Sequence, residues 1–245
     1  MGSFVKKISQ GLSFKRPGLV SGLKWLWKIF VFVLIMDIAY IMIIWPNWND
    51  YAEGAIPKSK FITSYQSSVN TKGNGSMPRL RWDPVSFNRI PQSMIRALVV
   101  AEDSRFFSHN GFDVIAFKEV MEYNLSKRRF IFGGSTISQQ TVKNLFLSPS
   151  RNPLRKWHEL VITFGMEKNL SKQRILELYL NVAEFGRGIY GVNAASKYYW
   201  ARSISNISQK QAIELAATLP APVNHNPGTR STFFLNRVRK IQAYF

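Results

Sequence analysis

Two glutamates in basic surroundings are the residues of this sequence whose types and spacing suggest chemistry. Glu102 follows an apolar helical stripe of Met94, Ile95, Leu98 and Val99 and lies in the segment Ala-Glu-Asp-Ser-Arg-Phe-Phe-Ser-His-Asn-Gly-Phe-Asp, residues 101–113. A carboxylate at the end of an apolar helix is partly desolvated, which raises its pKa toward the range useful for proton transfer. Asp103, Arg105 and His109 give it polar neighbours, and Gly111 permits a tight turn. Taken alone, the segment reads better as a helix end with solvated charges, because acids at helix ends are common. Glu159 shares a second cluster with Arg151, Arg155 and Lys156, and Arg155 is its i,i+4 neighbour on a helix. That cluster is either an exposed ion pair of little energetic weight or a cationic floor for a diphosphate leaving group with one carboxylate set among the cations.

Between the glutamates runs Gly-Gly-Ser-Thr-Ile-Ser-Gln-Gln-Thr-Val-Lys-Asn, residues 133–144. A glycine pair and hydroxyls at a helix start offer free backbone N–H groups to an anion. Ser135, Thr136, Gln139 and Gln140 can hydrogen-bond sugar or phosphate, and Lys143, two turns on, can meet a pyrophosphate as a point charge. The spacing of a nucleotide P-loop is absent. In residues 175–191, Glu177, Tyr179 and Asn181 read as buttresses of the fold.

These groups need a helical scaffold, and the pattern from Ile90 onward supplies one. Pro91 suits a first helical position. Asp113 suits an N-cap for a helix bearing Ile115, Phe117, Val120 and Met121. Thr136 with Gln139, and Ser208 with Gln211, have capping-box spacing. Leu154, Trp157, Val161 and Phe164 share one face of a helix at 154–167, and Ser171 opens another with Ile175, Leu178, Tyr179 and Val182. Pro220 and Pro222 stop the helix that begins near Ser208. Strand-like alternation is scarce, so the expected class is mostly α. Residues 46–88, rich in Pro, Gly, Asn and Ser, read as a linker and the start of the domain, and 89–245 as the domain itself.

Residues 25–45 form an apolar run long enough to cross a hydrocarbon core of about 30 Å. Trp25, Trp27, Trp45 and Trp48 suit the interfaces, and Lys28 can snorkel. Six basic residues and no acid precede Ile29, which assigns residues 1–24 to the cytoplasm as a basic tail and the domain to the outside. The run is too long for a signal-peptide core and lacks a good cleavage site, so a permanent transmembrane helix is expected. Asp37 lies mid-span, where a carboxylate is costly.

The 245 residues carry a formal net charge of +19, too much to lie in the tail alone. Such an excess faces nucleic acid, membrane phosphates or a phosphorylated substrate. No base-reading motif appears, and the expected topology turns the domain away from nucleic acid. With no cysteine and three scattered histidines, no metal site of the cysteine–histidine kind is readable.

Taken in order, EDSRFFSHNGFD, GGSTISQQTVKN, RKWHE, ILELYLNVAEFGRGIYGVNAA and ELAATLPAPVNHNP resemble the five motifs of the peptidoglycan glycosyltransferase family, most closely its monofunctional biosynthetic transglycosylases. The resemblance covers about 90–227, with Ser138 standing where the family has Thr and Trp200 where Phe is common. It implies a lysozyme-like domain of the bacterial inner membrane that polymerises glycan strands from lipid II for the cell wall. It further implies Glu102 as general base toward the acceptor's 4-hydroxyl and Glu159 as the second carboxylate near the leaving group. Lys143 and Arg151 would stabilise the departing lipid pyrophosphate, and Ser135, Gln139, Gln140, Arg155 and Lys156 would line the pocket. A divalent Mg or Mn ion at the pyrophosphate is compatible with the family, with no protein ligand assignable. The implied partners are lipid II, lipid-linked glycan, the membrane and cell-division or cell-wall synthesis proteins, with no nucleic acid. Phe107, Phe112, Phe130 and Phe132 are candidates for an apolar surface at the bilayer. No Ser-x-x-Lys with a Lys-Thr-Gly partner follows the anchor, so glycan synthesis without cross-linking is expected. The rival readings are a glycan-cleaving enzyme on the same fold, with Glu102 as general acid, and a non-enzymatic scaffold of the division machinery.

Overall fold

A computed structural model of the chain describes residues 19–72, 77–128, 133–148 and 153–245. The chain divides at Trp45 into two units. The first holds α1 (Leu19–Ile44), whose stretch Gly22–Ile44 has a mean hydropathy of 2.3 and buries nothing within the protein. At 1.5 Å per residue, 23 residues extend about 34 Å, enough to cross a bilayer core. The helix begins before the expected Trp25 and stops just short of Trp45. Lys28 lies 5.6 Å from the centre of the Trp25 ring, a cation over an aromatic face. The basic tail at 1–18 lies outside the described residues.

The second unit, from Pro46, is mostly helical. The segment at 46–88 contains α2 (Asn49–Ala52), α3 (Lys60–Lys72) and β1 (Arg81–Trp82). The α3 sequence KFITSYQSSVNTK is too polar to show an apolar stripe, yet Ile62 is fully buried and its N–H bonds Ser59 Oγ at 3.1 Å. This region is thus part of the folded domain as well as its entrance.

Next come α4 (Gln92–Glu102), α5 (Val114–Lys127), α6 (Ile137–Phe146), α7 (Pro153–Asn169), α8 (Lys172–Val182), α9 (Val192–Trp200), α10 (Gln209–Thr218) and α11 (Thr232–Gln242). The local chemistry sets their starts. Asp113 Oδ1 accepts from the Ala116 N–H at 2.8 Å, and Ser171 Oγ from the Arg174 N–H at 3.1 Å. Both expected capping boxes form, Thr136 with Gln139 and Ser208 with Gln211. Pro91 is the N-cap of α4 instead of its first residue, with extended backbone (ψ 147°).

The core centres on α4 against α10 and on α6 against α7 and α8. On α10, Ala212, Ala216 and Ala217 are fully buried, as are Met94 and Leu98 on α4. Full burial of a side chain like Leu98 contributes about 1.5–3 kcal/mol. β1 pairs in parallel with β3 (Ile189–Tyr190), which pairs antiparallel with β2 (Glu184–Gly186), giving the order β1-β3-β2. Glu177 and Asn181 act as expected. Glu177 accepts from the Phe87 N–H at 2.7 Å, and Asn181 accepts from the Val85 N–H and donates to its carbonyl, both at 2.8 Å.

On α7 the apolar stripe turns outward. Leu154, Trp157 and Phe164 are each about half exposed, while the inward side carries His158, Glu159, Ile162, Thr163 and Met166. A helix that faces its polar residues into the protein is serving something other than packing.

Candidate active site

Glu102 ends α4 with its side chain 10% exposed. Arg237 Nη2, from α11, donates to Oε1 at 2.6 Å and also to the Ala101 carbonyl at 2.9 Å. Gln140 Nε2, from α6, donates to Oε2 at 2.9 Å. The Gln140 amide is held the right way round because the buried Tyr179 hydroxyl donates to its Oε1 at 3.0 Å. Tyr179 is therefore more than the buttress expected of it. Burial is the largest influence on Glu102 and pushes its carboxyl up. Arg237 is the first opposing influence, followed by the Gln140 hydrogen bond and then the more distant Lys143. Each carboxylate oxygen keeps one lone pair for a proton.

The polar residues that follow Glu102 serve a different task. Asp103 Oδ2 accepts from the Ile137 N–H at 3.0 Å, and its carboxylate also holds His109 Nε2. Arg105 pairs with Asp113 at 2.8 Å. Gly111 has φ +91°, and a Cβ there would stand 2.7 Å from Thr163 Cγ2, so the turn requires glycine. The Gly111 carbonyl accepts from Thr136 Oγ1 at 2.7 Å. Together these bonds fasten the loop after Glu102 to the start of α6.

Three of the amides at the start of α6 are also engaged. The Thr136 N–H goes to Gln139 Oε1, the Ile137 N–H to Asp103, and the Gln139 N–H to Thr136 Oγ1. Asp103, His109 and Asp113 also form a trio whose ligand atoms lie within 4.8 Å. Asp113 is engaged by Arg105 and Ala116 and Asp103 by Ile137 and His109, so the trio reads as a structural network instead of a metal site.

The second half of the site surrounds Glu159, which is 2% exposed. Its Oε1 takes a short hydrogen bond from Lys156 Nζ, and its Oε2 lies 3.5 Å from Arg155 Nη1. Lys156 Nζ also donates to Ser135 Oγ at 3.0 Å. A carboxylate this buried is not part of an exposed ion pair of little energetic weight. Lys143 lies in the field of both carboxylates, with the stronger pull from Glu159. Its burial pushes its pKa down, and Arg155 and Lys156 push the same way. Gln139 Nε2 and Arg155 Nε and Nη1 are buried donors with no hydrogen-bond partner. Arg151, expected here, lies outside the described residues, as do Phe130 and Phe132.

The structure thus gathers Gln140, Lys143, Glu102, Glu159, Ser135, Gln139, Arg155 and Lys156 around α6. Sequence reading missed Arg237. Its signal was available: Arg237 falls on the same face of α11 as the buried Phe234, Val238 and Ile241, an unusual place for a charge.

The family model described as Transglycosylase matches residues 73–244. The biosynthetic peptidoglycan transglycosylase of Nitrosospira multiformis is 38% identical over 221 residues, covering 89% of this chain and 94% of that protein. Its counterpart in Thiobacillus denitrificans is 39% identical over 225 residues, 90% of this chain and 94% of that one. The protein of the same description in Chromobacterium violaceum is 39% identical over 195 residues, 80% and 83% of the two chains.

Proposed function

Because this chain belongs to the transglycosylase family, an enzyme family of peptidoglycan synthesis, we propose that it extends glycan strands by transferring a lipid-pyrophosphate-linked glycan onto the 4-hydroxyl of lipid II with inversion. The observation that carries the reading is the division of labour around α6: one largely buried carboxylate with a spare lone pair on one side and a cluster of cations on the other, with unpartnered buried donors on each. Buried donors without partners are rare in folded proteins, and an oxygen-rich ligand would satisfy them.

In this reading the acceptor's oxygen forms a bond to the donor's anomeric carbon, and its proton passes to Glu102. The bond from that carbon to the pyrophosphate oxygen breaks, and the polyprenyl diphosphate leaves with the electron pair. Inversion requires attack from the face opposite the leaving group. Lys143, Arg155 and Lys156, with Arg151, meet the charge that develops there, so the leaving oxygen needs no proton. Glu159 holds Arg155 and Lys156 in place. A divalent ion on the diphosphate would add positive charge on the same side. Both Glu159 oxygens already face cations, so the described residues of this cluster supply no free carboxylate to ligate it.

The membrane reading rests on α1 and on apolar side chains exposed on the domain. Phe107, Val114, Ile115 and Phe117, with Leu154, Trp157 and Phe164 of α7, stand in solvent. An apolar surface of this kind suits an enzyme whose substrates keep their tails in the bilayer. We place the N-terminus in the cytoplasm and the domain outside the inner membrane, following the basic tail. The test is polymerisation of purified lipid II by the detergent-solubilised protein beside Glu102→Gln. Long strands from the wild type alone support the proposal. Breakdown of preformed glycan instead of synthesis would replace it with a hydrolytic one.

A further inference from the structure

We propose that Arg237 is the acceptor-side residue of this site, clamping Glu102 through Nη2 while its Nε–H receives an oxygen of the incoming acceptor sugar. The inference rests on the transferase reading above and adds a residue and a direction of approach to it.

Three observations meet at this side chain. First, Nη2 makes two bonds, to Glu102 Oε1 at 2.6 Å and to the Ala101 carbonyl at 2.9 Å. Second, Nε is buried and has no hydrogen-bond partner. Third, Arg237 lines a hollow of about 460 Å³ together with Phe233, Asn236, Arg239 and Lys240. Nε and Nη2 share one edge of the planar guanidinium fork. An oxygen that accepts from Nε–H must therefore lie beside the Glu102 Oε1 and Ala101 carbonyl pair. A hydroxyl that is to give its proton to Glu102 must come within about 2.6–3.2 Å of that carboxylate. The unsatisfied donor thus marks the neighbourhood where the nucleophile's sugar has to sit, on a side chain that also lines the hollow along α11.

The helix that delivers Arg237 is well anchored. Phe234, Val238 and Ile241 are buried, Ser231 caps its start, and Arg96 of α4 lies over the Phe245 ring at 4.9 Å. The charged and titratable groups around Glu102 come from each neighbouring helix: Arg237 from α11, Lys143 from α6 and Tyr179 from α8. On α10, Glu214 turns to Arg230 at 3.6 Å. Arg237 is the nearest cation to Glu102 and the main counterweight to its burial. The base acts when ionised, so activity rises with pH through its pKa. Removing the Arg237 charge moves that acid limb to higher pH.

The experiment measures initial polymerisation rates of the full chain in detergent, against lipid II concentration and across the acid limb. It uses wild type, Arg237→Lys, Arg237→Gln and Glu102→Gln. Arg237→Lys keeps the charge but loses Nε, so KM should rise about tenfold, the scale of one lost hydrogen bond, with the acid limb in place. Arg237→Gln should raise KM and also move the acid limb upward. An unchanged KM in both variants overturns the acceptor contact, and an unmoved limb in Arg237→Gln overturns the clamp. A role in folding alone would lower the melting temperature and leave both readouts where they were. Where Arg237→Gln does not fold, Arg237→Lys decides on KM. Normal turnover by Glu102→Gln would sink the transferase reading itself, and an inactive Glu102→Gln beside unaltered Arg237 variants would sink only this inference.

Discussion

Glu102 and Glu159 are both buried carboxylates on helices that contribute to one site, but their surroundings differ. Glu102 has one close cation, one amide and a hydroxyl behind that amide. Glu159 touches two cations and lies in the field of a third. The first arrangement orients a carboxylate and leaves it able to take a proton. The second uses the carboxylate to hold positive charges together that would otherwise repel. The difference teaches that burial alone does not define a general base; in the proposed reaction, the number and placement of neighbouring cations would separate the proton acceptor from the charge organiser.

The comparison predicts a ranking of effects. Glu102→Gln should reduce kcat by about 10³-fold, within the range for loss of a general base, with little change in melting temperature. Strand formation measured beside thermal unfolding checks this, and equal loss of fold and activity would erase the distinction between the two carboxylates. Lys143→Met should cost about 10²-fold, as for removal of one group that stabilises developing negative charge. Its pH behaviour sharpens the contrast. Burial lowers the Lys143 pKa, and the charged form is the useful one, so activity should fall with rising pH below the usual lysine range. Lys143→Arg, which stays charged, should move that basic limb upward while the acid limb set by Glu102 stays fixed; a rate–pH profile decides.

A smaller effect is expected at Tyr179→Phe. It frees the Gln140 amide to turn, at about 1 kcal/mol, or several-fold in kcat, with the Glu159 side untouched. Smallest in activity is Thr136→Ala. It removes the cap of α6 and should destabilise the fold by about 1 kcal/mol by denaturant melt, with strand synthesis largely kept.

How much of this was legible in the sequence depends on the range of the interaction. Caps act over three residues, so Asp113, Thr136, Ser171 and Ser208 could be read directly. Glu102, Glu159 and the cations near each in sequence were visible for the same reason. Two features misled the periodicity. Polar α3 hides its one fully buried apolar residue, Ile62, and α7 turns its apolar stripe outward so that Glu159 faces the site. The union of Arg237 with Glu102 spans 135 positions and depends on α11 lying against α4, which no local pattern encodes. The capping boxes were readable, but the engagement of the Ile137 N–H was not, because the Asp103 bond to it arrives from another helix end.

The engaged amides at the start of α6 have a consequence for how the donor of the proposed reaction would be held. An anion seated on backbone amides is gripped by fixed dipoles within contact distance. Here three amides at the helix start are engaged by Asp103, Thr136 and Gln139, so in the proposed reaction the diphosphate would lean on side-chain monopoles, including the half-exposed Lys156. Monopoles near solvent answer to ionic strength: the screening length shortens from about 8 Å at physiological salt to about 3 Å at 1 M. Salt should therefore loosen the hold on the donor well before it disturbs proton transfer at Glu102, making the medium itself a means of separating substrate capture from bond formation.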